Sequence, residues 1–182
     1  AYNNKVNERV NAFSGLKALS TRLVNALETT DATAQVIKDA KGFNRKLQGK
    51  RASTATTPID PNTPAPATIS TSQQSYDQQI QHLAGLTSVL ISEPSYAPNE
   101  TALATATLTA LQANLTAKNN EVATAYTNIS NSRIARNNTL YADSTGLVEI
   151  ATEVKKYIKS LYGASSPEFA QVKGIEFKKA KK

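Results

Sequence analysis

His82 is the chain's only histidine, and the chain has no cysteine. A nucleophile–histidine–carboxylate relay needs an imidazole with partners on both sides. A zinc or copper centre draws its ligands from several His and Cys side chains. Nothing spaced around His82 supplies either, so it reads as a structural histidine beside a helix core face. The absence of Cys removes disulfides, thiolate nucleophiles and iron–sulfur clusters together. Glu149, Glu153, Lys156 and Lys159 recur at helical spacing, which is the pattern of a solvated face with weak ion pairs. The 7 glycines are scattered, so there is no phosphate-cradling loop. No catalytic, cofactor-binding or metal-binding residue is assigned. The expectation is a protein that is not an enzyme, has no cofactor and takes no small-molecule substrate.

Charge is the next source of chemistry. The formal net charge of +7 is segregated: residues 1–51 carry +6, residues 52–100 carry −4, and residues 152–182 carry +5. No Lys or Arg occurs between Arg51 and Lys118. Arg45, Lys46, Lys50 and Arg51 at one end, and Lys178, Lys179, Lys181 and Lys182 at the other, are candidate groups for an anionic partner such as nucleic acid or an acidic surface. No nucleic-acid motif accompanies them. Arg133 and Arg136 lie on a long helix, with Arg136 at a core-type position. They are candidates for a structural pairing with Glu or helix-end carbonyls, or for a contact between subunits.

These side chains are positioned by helices. Val6, Val10, Phe13, Leu16, Leu19 or Leu23, and Leu27 recur at three- and four-residue steps, with Ser14-Gly15 as an interruption at which Ser14 caps the second part. Ile37, Ala40 and Phe43 predict a short helix after a turn at Asp31. Residues 48–71 break the pattern with Thr, Ala and four prolines and read as an extended crossover or a glycosylated stalk. Ser72 then caps a helix whose core face is Tyr76, Ile80, Leu83, Thr87 and Leu90, ending before Pro94. Asn99 caps a helix of roughly 42 residues to Tyr141, with a seam at Leu108, Leu111, Leu115, Lys118, Val122, Ala125, Ile129, Ser132 and Arg136. Asp143 or Ser144 caps the last long helix, whose core face is Leu147, Ile150, Val154, Tyr157 or Ile158, and Leu161. Ser166-Pro167 opens a short helix with Phe169 and Val172 facing inward.

The fold expected is therefore all-α: one elongated antiparallel bundle over residues 1–182, built around the 99–141 helix, with a central helical hairpin at 72–141. The ends also match one another. Gly15-Leu16 aligns with Gly146-Leu147, Ile37 with Phe169, and Lys41-Gly42 with Lys173-Gly174, which suggests duplicated units near 14–47 and 145–179. No run of 18 apolar residues exists, so no membrane-spanning helix is expected. Without a methionine, the chain reads as processed or trimmed. Localisation stays open between cytoplasm and cell exterior.

Several strings resemble a known group: QGKRAS (Gln48–Ser53), PSYAPNE (Pro94–Glu100), SRIARNNTLY (Ser132–Tyr141) and the long stretch from Gly146 to Phe177. Together they resemble uncharacterised helical proteins of Bacteroidetes-type bacteria, flavobacteria among them. The resemblance covers most of the chain except residues 54–70, where that group carries a more charged linker. It implies a bacterial helical bundle and transfers no functional residue. Asp143-Ser144-Thr145 likewise resembles an acceptor for O-linked sugars in such bacteria, which makes Ser144 a candidate; helix capping accounts for the same residues. Asn-x-Ser/Thr strings at Asn99, Asn114, Asn128 and Asn137 mostly fall inside a helix and need no function. The function expected is a structural or scaffolding protein that packs with copies of itself, as a filament or surface assembly. The alternative is a monomeric module that binds anionic partners through its basic ends.

Overall fold

The structure, a computed structural model, describes residues 1–50 and 74–177. Its regular elements there are all helical, and they pack as an all-α bundle. The contacts divide the chain into two compact units, Ala1–Ala125 and Tyr126–Lys182. The crossover from Arg51 onward, the Ser72 cap and the lysines at 178, 179, 181 and 182 lie outside the described residues.

The first unit holds α1 (Tyr2–Phe13), α2 (Leu16–Glu28), α3 (Ala34–Gln48), α4 (Tyr76–Ser92) and the beginning of α5 (Thr105–Tyr141). The break between α1 and α2 falls at Ser14-Gly15, as the sequence predicts, but Ser14 does not cap α2. Its hydroxyl donates back to the Asn11 carbonyl at 2.8 Å, and Gly15 is the N-cap without a side-chain bond. Thr33 caps α3 by accepting from Val36 N–H, and Gly49, at φ 74°, ends it in the left-handed conformation. Ser75 caps α4, accepting from Gln78 N–H at 3.2 Å.

The centre of this unit is leucine. Leu23, Leu27, Leu47, Leu83, Leu86, Leu90, Leu108 and Leu115 are fully buried. The closest packing is of α3 on α4 and of α2 on α3. Both pairs are antiparallel: Ser20 Oγ donates to Asn44 Oδ1 at 2.9 Å, Lys41 pairs with Glu28, and Gln74 Nε2 donates to the Lys46 carbonyl at 2.7 Å. Gly85, in the middle of α4, lies directly under the Phe43 ring of α3, where a Cβ would collide with the ring. Helix propensity disfavours a glycine there, and the seat it makes for an aromatic ring is the compensation.

The long helix starts later than Asn99. A 3-10 turn covers Thr101–Leu103, and Ala104 is extended at ψ 138°. That kink tucks Leu103 into the core, and the buried Tyr96 hydroxyl donates to the Leu103 carbonyl at 3.0 Å. The helix is 37 residues as a result, not roughly 42. Along its seam Leu108, Leu115 and Val122 are buried, Leu111, Ala125 and Ile129 are half-buried, and Ser132 and Arg136 are exposed.

The second unit contains α5 from Tyr126, α6 (Leu147–Tyr162) and α7 (Pro167–Lys173). A tight turn leads into α6: Gly146 N–H donates to the Ala142 carbonyl at 2.8 Å, and Ser144 sits at φ 65°. Neither Asp143 nor Ser144 caps α6; the N-cap is Gly146, with no side-chain bond. A Cβ on Gly146 would meet Ala142 backbone atoms at 2.6 Å, so the turn requires glycine. Ser166 and Pro167 open α7 as the sequence predicts, with Ser166 Oγ accepting from Phe169 N–H at 3.0 Å. The hairpin α6–α7 and the hairpin α2–α3 share an order but not a length. Gly42 lies inside the 15-residue α3, whereas Gly174 ends the 7-residue α7.

Candidate functional site

Helix α6 has the apolar stripe that its sequence predicts, but not the burial. Leu147, Ile150, Val154, Tyr157 and Leu161 are all exposed, from 45% at Ile150 to 67% at Tyr157. Only Val148 of this helix is buried. The reading of Leu147, Ile150, Val154 and Leu161 as core residues is corrected by the position of α7; of the alternatives Tyr157 and Ile158, Tyr157 is exposed and Ile158 is half-buried. Lys155 Nζ donates to the carbonyls of Lys173 at 3.2 Å and of Ile175 at 2.6 Å, and Lys159 Nζ lies 6.0 Å from the Phe169 ring centroid. The short helix is thereby held on the lysine edge of α6, beside the stripe. Phe169 and Val172 are half-buried there, while Ile175 and Phe177 are exposed. A shallow cleft of about 380 Å³ lies along that edge, lined by Lys155, Lys156, Lys159, Phe169, Ile175 and Phe177 among others.

A second constellation joins α1, α4 and α5. Lys5 and Lys118 alternate with Glu8 and Glu121 in a square: Lys5–Glu8 3.1 Å, Lys5–Glu121 3.0 Å, Lys118–Glu8 2.8 Å and Lys118–Glu121 3.3 Å. Hydrogen bonds from the lysines hold both carboxyls below their ordinary pKa and raise both ammonium groups. Beside the square, the Arg9 guanidinium lies 4.0 Å over the Tyr76 ring and donates to Asn119 Oδ1 at 3.0 Å. Asn119 Nδ2 donates onward to Asp77 Oδ1 at 2.7 Å. This face of α1 turns inward, and Val10, which its spacing places in the core, is 47% exposed. Only Lys118 is marked in the sequence, as a polar interruption of an apolar seam. The four charges of the square neutralise one another and Arg9 lies over a ring, so the arrangement clamps helices together.

His82 is buried on α4, and its Nε2 has no hydrogen-bond partner. Burial first, and the Lys46 charge second, hold its pKa below the ordinary histidine value. At 6% exposure this imidazole has little surface open to a substrate. A polar cleft of about 470 Å³ lies between the α2–α3 turn and residues 95–100, with Asp31, Asn99 and Glu100 in its lining. Tyr96 borders it, its hydroxyl pKa raised by burial and then by Glu100. Among the described residues no group of three or more His, Asp or Glu is placed to hold a metal.

The remaining sequence candidates are dispersed. Arg45, Lys46 and Lys50 are exposed at the C-terminal end of α3, where positive charge complements the helix dipole. Lys46 also lies 5.4 Å from the Phe43 ring centroid. Arg51 and Lys178, Lys179, Lys181 and Lys182 lie outside the described residues. Arg133 and Arg136 are exposed. Arg136 donates to Asn137 Oδ1 at 2.8 Å instead of entering a core seam. Ser144 is exposed on its turn. No family model, curated protein or solved structure matches the chain. Among the described residues, no helix is long and apolar enough to cross a membrane.

Proposed function

We propose that this is a non-enzymatic structural or scaffolding protein that associates with copies of itself, as a filament or surface assembly. The observation that carries the reading is the exposed apolar stripe of α6. Isolated apolar side chains are ordinary on protein surfaces, but a contiguous row of five on one helix face marks an interaction surface. The segregated charge of the chain is consistent with basic ends meeting an acidic middle on a neighbour. The lone histidine is enclosed, and the best-organised charges are spent on joining helices. The resemblance to bacterial helical-bundle proteins and the duplication of the two hairpins belong to the same proposal. Gly15 and Gly146 both occupy N-cap positions of a first helix, which is the structural point in favour of duplication.

Light scattering across a concentration series tests the reading. The expected result is a mass that rises above the 19.5 kDa of one chain, with electron microscopy showing regular assemblies at the high end. A monomer at every concentration and salt level contradicts it.

A further inference from the structure

The charges of the α1–α5 square neutralise one another, but two clefts, one in each unit, hold charges that stay unpaired. The cleft of about 380 Å³ on the lysine edge of α6 presents Lys156 and Lys159. Both are exposed, and neither has an ion pair among the described residues. Lys155 donates to the Lys173 and Ile175 carbonyls, so it holds the wall of the cleft in place. That wall is apolar and consists of Phe169, Ile175 and Phe177. The cleft therefore combines free positive charge with an apolar wall.

The polar cleft of about 470 Å³ in the first unit has the opposite character. Asp31 and Glu100 line it, both exposed, with no Lys or Arg in the lining and no ion pair to either among the described residues. Thr29 and Thr30, at the C-terminal end of α2, also line it. The negative end of that helix dipole therefore adds to the two carboxylates. No Lys or Arg occurs between Arg51 and Lys118, so the segment 93–100 brings acidic groups alone. This segment is held in shape, with Ser95 Oγ donating to Glu93 Oε1 at 2.7 Å and the Tyr96 hydroxyl donating to the Leu103 carbonyl. A segment already held in its shape loses little freedom on docking.

We infer that the basic cleft of α6 and α7 is the docking site for segment 93–100 of a second copy of this chain, with Lys156 and Lys159 facing that copy's Glu100 and Asp31. Ala97 and Pro98 of the segment, beside Glu100 in the lining of the polar cleft, then meet the apolar wall. The unpaired charges of opposite sign select this occupant. The inference rests on the self-association reading above and names its two surfaces. Because the two surfaces differ, the contact is heterologous. Every added copy leaves one cleft and one segment open, so copies join head to tail into a ring or a filament.

Two full-length variants, K156E/K159E and D31K/E100K, test the pairing. Each sets like charge against like charge, and each alone is expected to weaken self-association by roughly tenfold or more. All four side chains are exposed, so both variants should melt as the wild type does. An equimolar mixture of the two is expected to regain assembly in light scattering. In it the reversed cleft of one variant fits the reversed segment of the other, and the two unaltered surfaces fit as well. Self-association that survives in either variant alone overturns the pairing of these surfaces, and so does a mixture that stays as dissociated as its components; both leave self-association standing. A wild-type chain that is monomeric throughout removes both readings.

Discussion

Helices α3 and α6 are alike in length, 15 and 16 residues. Both carry an apolar stripe with lysines near their ends. Helix α3 lies between α2 and α4 and buries Ala40 and Leu47 completely. Among the described residues of its own unit, helix α6 packs on its lysine edge against a helix of 7 residues, and it buries Val148 alone. The same pattern therefore makes a core in one unit and a surface in the other. What differs is the length and placement of the neighbour. A 7-residue helix offers two turns, which is enough to seat Phe169 and too little to cover a stripe of four turns.

The largest effect that separates the two units is a truncation made in both. Leu47→Ala removes a side chain enclosed on every side and should cost about 2–5 kcal/mol in urea unfolding. Leu161→Ala, at a position 58% exposed in the single chain, should stay within about 0.5 kcal/mol in protein dilute enough to be monomeric. Equal costs at the two sites would erase the distinction between a closed and an open stripe. Next in size is Gly85→Ala. Helix propensity alone favours the change by about 1 kcal/mol, but the new Cβ meets the Phe43 ring. Overpacking should leave the protein less stable by about 1–3 kcal/mol. A stabilised variant would mean that α3 and α4 are not locked by this ring.

The smallest effect is a pH slope, and it belongs to the first unit. Folded His82 takes up a proton less readily than an unfolded histidine does, because burial and the Lys46 charge disfavour its cation. Its contribution to stability is full above the ordinary value near 6.5 and is lost as the pH falls through that value toward the lower folded pKa. Melting temperatures measured from pH 7.5 down to 5.5 should fall for the wild type and fall less for His82→Gln. The carboxyls of Glu8 and Glu121 act in a separate window. Their folded pKa values are depressed, so their contribution persists through this range and is lost only in more acidic solution, as the pH falls through the folded values. An identical slope in both proteins would show that His82 is not the group responsible.

Helix existence was legible in residue spacing throughout, as at the Ser14-Gly15 break and the Ser166-Pro167 start. Boundaries set by tertiary contacts were not. Asn99 is a sound N-cap by type, but Tyr96 reaches the Leu103 carbonyl and delays α5 to Thr105. Ser144 has the chemistry of a cap, but the turn it occupies places Gly146 at the cap position. The Lys5–Glu8–Lys118–Glu121 square could not be read, because two of its members lie at least 110 residues from the others. Gly85 carried a usable signal as a lone glycine inside an apolar helix, which asks for a bulky neighbour. The open face of α6 had none: a stripe states that a helix needs a partner and is silent on whether the partner is in the same chain.

Amide hydrogen exchange at low and high protein concentration tests the contrast between the two units most directly. The account predicts strong protection in α2, α3 and α4 that does not change with concentration. In α6 it predicts weak protection in dilute solution that rises as copies associate. Protection of α6 that is constant across the series, with light scattering showing a monomer throughout, would contradict the claim that this helix waits for a second chain.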